Sequence, residues 1–170
     1  MRIVLIGFRG TGKSVLGKEI SKTLGLKYIS TDIMIKNHYS LSVAAIVEKF
    51  GWQEFRSKEI EIIKEVSSLD DVVIDTGGGS ILNENNRKML KQNAVVIQLI
   101  ASEESIIKRI SEGKDRPNLT SQNSLQSEIH QLIEERKELY NSISDFIVDT
   151  SKNSFEGSKK IILDYIKGLV

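Results

Sequence analysis

Residues 7 to 14 read GFRGTGKS and follow directly on the apolar run RIVLI. Gly7, Gly12, Lys13 and Ser14 stand at the spacing G-x-x-x-x-G-K-[ST]. Those residue types suit one task. Glycines let backbone N–H groups turn toward a single point with no Cβ in the way. A helix starting behind them adds the partial positive charge of its N-terminus. The lysine reaches the β- and γ-phosphates of a nucleotide, and the serine hydroxyl can ligate Mg2+. A strand before the loop and a helix after it make a triphosphate cradle the better reading than a glycine-rich turn with a chance lysine. The candidate nucleotide-binding residues are Gly10, Thr11, Gly12, Lys13, Ser14 and Val15.

Three further places carry chemistry. Asp32 follows the second strand pattern, where a carboxylate faces the ligand crevice of a parallel sheet and could take a proton from an attacking hydroxyl. Taken alone, it reads as the N-cap of the next helical segment. Arg56, in GWQEFRSKE, taken alone reads as a surface arginine of an amphipathic helix. DTGGGS, residues 75 to 80, is different. Three consecutive glycines cost considerable backbone entropy, so they point to a close approach of backbone to ligand.

These residues need a scaffold that brings them together. Apolar runs at 3–6, 27–30, 72–75, 94–100 and 146–149 read as strands, most of them rich in β-branched residues. Helical patterns cover 12–24, 43–50, 53–67, 84–91, 103–111, 124–140 and 154–167, with Gly51 as a C-cap between the second and third. The alternation predicts an α/β fold, a five-stranded parallel sheet with helices on both faces. The polar segment EGKDRPNLTSQN, residues 112–123, has little to bury. Composition leaves it open between a mobile loop and a plain surface connector.

The chain has 170 residues, enough for one domain with a sizeable core. The net charge of +1 gives no general field for nucleic acid or an anionic membrane. The absence of cysteine excludes disulfides and thiolate metal sites. The apolar run at 3–6 is too short for a signal-peptide core, and no run approaches a membrane span. The expectation is a cytoplasmic protein without nucleic-acid or membrane partners. A P-loop chain of this size fits a small-molecule kinase best. Phosphoryl transfer asks the protein for positioned phosphates, a metal, cations and an oriented acceptor.

The segments GFRGTGKS, TD, FRSKE, TGGGSILNENNRKML, DRPNL, ERKELY and SDFIVDTS, in their order and spacing, resemble shikimate kinases from about residue 3 to 150. The P-loop is generic; the combination of FRxxE, TGGG and a late RxxxY is far more specific. The resemblance implies a P-loop fold of the nucleoside monophosphate kinase type, with a substrate-binding region at about 32–60 and a mobile lid at about 112–123. It implies transfer of the γ-phosphate of ATP, with Mg2+, to the 3-hydroxyl of shikimate, by a monomer. By the same resemblance Lys13 and Ser14 match the phosphate-binding lysine and the metal-binding hydroxyl. Asp32 matches the substrate-binding aspartate and candidate base. Arg56 and Arg136 match the arginines that hold the substrate carboxylate, and Gly77, Gly78 and Gly79 the glycines lining that pocket. Arg116 matches the lid arginine, and Arg109 the arginine beside adenine.

Some positions depart from the family. Its usual D-x-D at the end of the second strand is Ser30-Thr31-Asp32 here, and Asp75 stands where a small residue is more common. Asp75 is near the Walker-B position of other P-loop enzymes, so it is a candidate to support Mg2+ through water. The bland reading is a strand-end aspartate capping local N–H groups. Lys36 replaces a glutamate, and the proline of the late R-x-P-L-Y motif is absent. Two alternatives remain at this point: a kinase of another small metabolite, and a nucleotide-binding regulatory domain that has lost catalysis, which Ser30 would favour.

Overall fold

The computed structural model describes residues 1–112 and 122–169. Five strands form one parallel sheet: β1 (Arg2–Ile6), β2 (Lys27–Ser30), β3 (Val72–Asp75), β4 (Val95–Ile100) and β5 (Phe146–Asp149), in the order β2-β3-β1-β4-β5. The helices are α1 (Lys13–Leu24), α2 (Thr31–Tyr39), α3 (Val43–Val66), α4 (Glu84–Lys91), α5 (Glu103–Ser111), α6 (Gln122–Asn141) and α7 (Phe155–Lys167). A short 3-10 turn spans Ser80–Leu82.

Central β1 is buried along its whole length, as a strand covered on both faces must be. Its side chains alternate between two cores. Val4 and Ile6 pack with Ile35, Ile46, Phe55 and Ile63 on the face covered by α2 and α3. Ile3 and Leu5 pack with Leu16, Ile20, Ile162 and Ile166 on the face covered by α1 and α7. A third cluster joins Phe8 to Ile106, Leu125 and Ile129, seating α5 and α6 beside the loop after β1. From β1 the chain crosses to β2 on one side of the sheet and later reaches β4 on the other. The carboxyl end of β1 is therefore a topological switch point, where ligands of open α/β sheets bind. No described helix is long and apolar enough to cross a membrane.

Two elements differ from the sequence expectation. The segment TDIMIKNHY forms α2, which its pattern hides: Ile33, Met34 and Ile35 are consecutive, and only Thr31 and Ile35 are buried. Its N-cap is Ser30, whose hydroxyl accepts from Ile33 N at 3.5 Å. Asp32 therefore sits in the first helical turn and is not the cap. At Gly51 the two expected helices are joined end to end, with a break at φ 83°, ψ 166° that favours glycine.

Candidate functional site

The loop between β1 and α1 wraps three glycines at positive φ, Gly7, Gly10 and Gly12. A Cβ on Gly7 would lie 2.2 Å from Leu99 O of neighbouring β4, so the loop can leave the sheet here only as glycine. Gly12 is the N-cap of α1 and supplies no capping side chain. The first-turn amides of α1 thus point to the loop's concave side, as an anion site requires. Lys13 is buried and donates to Gly7 O at 2.9 Å and Phe8 O at 3.0 Å, which lays its stem back along the loop.

A second set of bonds fixes the loop from behind. Arg109, on α5, donates to Gly10 O and to the hydroxyl and carbonyl of Thr150, each at 3.0 Å. Thr150 Oγ1 also lies 3.0 Å from Thr11 O. The loop is therefore lashed to the turn after β5. Arg109 lies beside the nucleotide loop, and its guanidinium is engaged by backbone there. Thr150, which sequence reasoning passed over, is the other half of the clamp.

Ser14 Oγ donates to Asp75 Oδ2 at 2.7 Å, and Tyr28 Oη donates to the same oxygen at 2.8 Å. Asp75 is buried and therefore anchors side chains from α1 and β2 in place of local N–H groups. Burial, followed by the charge of Asp75, pushes the Tyr28 phenol well above its ordinary range, so it stays a donor. Sequence reasoning missed Tyr28. The one available signal was its spacing of two from Ser30, which puts both on one face of β2.

The glycine run after β3 lies beside the nucleotide loop, and each glycine clears a different neighbour. A Cβ on Gly77 would meet Asp32 Oδ1 at 2.6 Å. One on Gly78 would meet Arg9 N of the nucleotide loop at 3.2 Å, and one on Gly79 would meet Arg56 Nη2 at 2.2 Å. The turn is held by Thr31 Oγ1, which accepts from Gly77 N at 3.1 Å, and by Thr76 Oγ1, which donates to Leu5 O at 2.9 Å. Arg136 Nη1 reaches Gly78 O at 3.4 Å and its guanidinium lies over the Phe8 ring, 5.7 Å from the centroid. Tyr140 donates to the same carbonyl, and burial pushes its phenol up to about 12. Gly77 and Gly79 thus make room for side chains of the site, and Gly78 for the backbone of the nucleotide loop.

Arg56 is held in turn. Its Nη1 donates to Glu59 Oε1 at 2.7 Å, one helical turn on, and its guanidinium lies over the Trp52 and Phe55 rings. Glu59 is 1% exposed, and its Oε2 lies 3.1 Å from where a Gly77 Cβ would be. Burial, opposed by Arg56, raises its carboxyl above the ordinary value. The i, i+3 spacing in FRSKE was the signal for this pair. The described site thus joins Lys13, Ser14, Asp32, Arg56, Asp75, Arg136 and the glycine run at the carboxyl edge of β1, β2 and β3. Val15 is adjacent but 60% exposed. Arg116 and most of the segment 112–123, expected to form a lid, lie outside the described residues.

The family model described as shikimate kinase matches residues 9–167 of the chain. A shikimate kinase of Caldanaerobacter subterraneus subsp. tengcongensis is 40% identical over 166 residues, covering 97% of this chain and 96% of that protein. Among solved structures, shikimate kinase from Acinetobacter baumannii in complex with shikimate superposes with a TM-score of 0.90 at 29% identity, covering 98% of this chain and 93% of that one. Shikimate kinase from Aquifex aeolicus superposes with a TM-score of 0.81 at 32% identity, covering 99% and 97%.

Proposed function

The chain belongs to the shikimate kinase family, and from that premise we propose how its residues divide the work. The protein is an enzyme that phosphorylates shikimate with ATP as co-substrate, within the shikimate pathway. A kinase of another metabolite and a catalytically lost regulatory domain are accordingly not favoured.

Arg56 and Arg136 hold the substrate carboxylate. Planar guanidinium groups match a carboxylate fork to fork, with more direction than a lysine offers. Glu59 and the two aromatic rings keep Arg56 aimed, and the carbonyl of Gly78 does the same for Arg136. With the acid anchored, Asp32, seated against Gly77, accepts the proton of one ring hydroxyl. That oxygen forms its bond to the γ-phosphorus as the bond from phosphorus to the β,γ-bridging oxygen breaks, and ADP leaves with that electron pair. Lys13 and the first-turn amides of α1 orient the phosphates. Arg116 is assigned to the transferring group on the family resemblance alone.

Mg2+ fits the donor set beside the loop. A hydroxyl and a carboxylate 2.7 Å apart are the hard oxygens that Mg2+ takes, together with waters and phosphates. Ser14 would bind it directly and Asp75 through water. When bound, the ion neutralises charge on the β- and γ-oxygens. The reading extends to a single domain over residues 1–170, acting as a cytoplasmic monomer without nucleic-acid or membrane partners. The near-neutral net charge of +1 supports the absence of nucleic-acid and anionic-membrane partners.

The observation that carries the reading is the convergence of Asp32, Arg56 and Arg136 on three successive glycines beside the phosphate loop. The test is ADP release from MgATP by the purified protein, with shikimate, gluconate or nucleoside monophosphates as acceptors. Stimulation by shikimate alone is expected. Stimulation by another acceptor would overturn the pocket assignment, and nucleotide binding without turnover would restore the regulatory reading.

A further inference from the structure

We propose that the carboxylate serving the metal site in this chain is Asp75 on β3, in place of the paired position 30 on β2 where the family's D-x-D carries one, and that Tyr28 is the positioning residue that holds it there. The inference rests on the reading of Ser14 as the metal-binding hydroxyl.

The sheet register makes the exchange of positions geometrically cheap. Ser30 and Asp75 are paired Cα partners in the parallel ladder of β2 and β3. Paired residues sit at the same depth, about 4.8 Å apart, with side chains on the same face. A carboxylate at either position therefore stands at the same level of the carboxyl edge. From position 75 it does reach the metal-binding hydroxyl, since Ser14 Oγ donates to it at 2.7 Å. The capping of α2 does not explain serine at position 30, because aspartate caps a helix equally well. Repulsion does explain it. Two carboxylates side by side on neighbouring strands, at a nearly buried level, would oppose one another. One position or the other carries the charge.

A carboxylate in this place needs orientation, and Tyr28 supplies it. Its phenol donates to Asp75 Oδ2 at 2.8 Å, the same oxygen that Ser14 addresses. The ring passes close under α1: a Cβ on Gly17 would lie 3.0 Å from Tyr28 Cε2. A tyrosine ring, with glycine making room for it, thus bridges from β2 to β3 behind the phosphate loop. Phenylalanine would fill the same space and lack the phenol's hydrogen bonds, the one to Asp75 first among them.

The experiment is calorimetric titration of ADP at a series of Mg2+ concentrations, with no turnover involved. The proteins are wild type, Ser14→Ala, Asp75→Ala, Asp75→Asn, Ser30→Asp, Tyr28→Phe and the double variant Ser30→Asp/Asp75→Ala. Asp75→Ala is expected to weaken the Mg2+ dependence by about 10-fold or more, the usual cost of losing an outer partner of a metal. Asp75→Asn, which keeps an acceptor for both hydroxyls, gives the same loss if the alanine variant fails to fold. Ser30→Asp alone is expected to be worse than wild type, yet the same change is expected to rescue Asp75→Ala to within about threefold. Tyr28→Phe is expected to weaken Mg2+ severalfold while ADP affinity in excess chelator stays unchanged.

A double variant no better than Asp75→Ala overturns the exchange of positions, and a Tyr28→Phe protein with wild-type Mg2+ affinity overturns the positioning role. If Ser14→Ala abolishes the Mg2+ response while the Asp75 variants keep it, the inference fails together with the role given to Asp75, and the reading of Ser14 as the metal-binding hydroxyl stands. If wild-type binding ignores Mg2+, the metal reading fails, and this inference with it.

Discussion

Replacing Gly79 by alanine separates substrate binding from folding. The new Cβ would lie 2.2 Å from Arg56 Nη2 and 2.7 Å from both Cζ and Nη1. Comfortable contact needs roughly 3.5 Å, so the guanidinium must retreat by about 1 Å. It can retreat, because it is the far end of a flexible side chain. The backbone need not move, since Gly79 has φ −101°, a value open to alanine. Stability should therefore stay within about 1 kcal/mol of wild type, helped by the lower entropy of the unfolded chain. Binding is another matter. Hydrogen bonds to a charged group are worth about 1.5–3 kcal/mol, and a displaced Arg56 forfeits them. That corresponds to a rise of roughly 10- to 100-fold in KM for shikimate, with KM for ATP within about twofold. Steady-state kinetics in both substrates and a melting curve measure all three quantities. An unchanged KM for shikimate would refute the assignment of Arg56 to the substrate, and a large fall in Tm would show that the glycine serves packing.

Other perturbations follow from the same contacts. Thr150→Val keeps shape but leaves Arg109 and Thr11 O short of a partner. A stability loss of about 1–3 kcal/mol and a higher KM for ATP should appear in chemical denaturation and kinetics. Lys13→Met removes the cation proposed to orient the phosphates and should lower kcat by about 100-fold or more, read in the ADP-release assay. Glu59, raised by burial above its ordinary 4.5, binds more protons folded than unfolded just above that pH. Its contribution to stability is therefore full below pH 4.5 and falls as pH rises through the folded value. Glu59→Gln should remove that slope, so the Tm difference between variant and wild type should change with pH across this window.

Much of the fold was legible because it depends on local pattern. The loop after β1 declares itself through glycines that no other residue could replace, and the β-branched runs mark buried strands. Helix α2 was hidden because its apolar residues do not recur at helical spacing, and packing of Ile35 into the core decides the matter instead. Asp32 looked like a cap because sequence cannot show that Ser30, two residues earlier, already does that work. The site partners missed were those brought in from elsewhere in the chain. Tyr28 meets Asp75 across 47 positions, and Thr150 meets Thr11 across 139. Only the tertiary fold creates those neighbours, whereas Glu59, three residues from Arg56, was within reach of helical spacing alone.

Gly78 occupies a different position from its neighbour, and the difference predicts a different phenotype. Its carbonyl accepts from Arg136 and Tyr140, on the acceptor side. Its Cα faces the other way, so that an added Cβ would lie 3.2 Å from Arg9 N and 3.6 Å from Gly7 O, both backbone atoms of the phosphate loop. Backbone held by Arg109 and Thr150 cannot swing aside as a guanidinium can. Either the loop or the glycine turn must then give by a few tenths of an ångström, and both binding sites are built on that contact. Displacements on this scale matter because phosphoryl transfer depends on positioning, where about 1 Å can cost 100-fold. Gly78→Ala should therefore raise KM for both ATP and shikimate and lower kcat, whereas Gly79→Ala disturbs shikimate alone. If Gly78→Ala changed only one KM, the two sides of the site would not be joined through this turn.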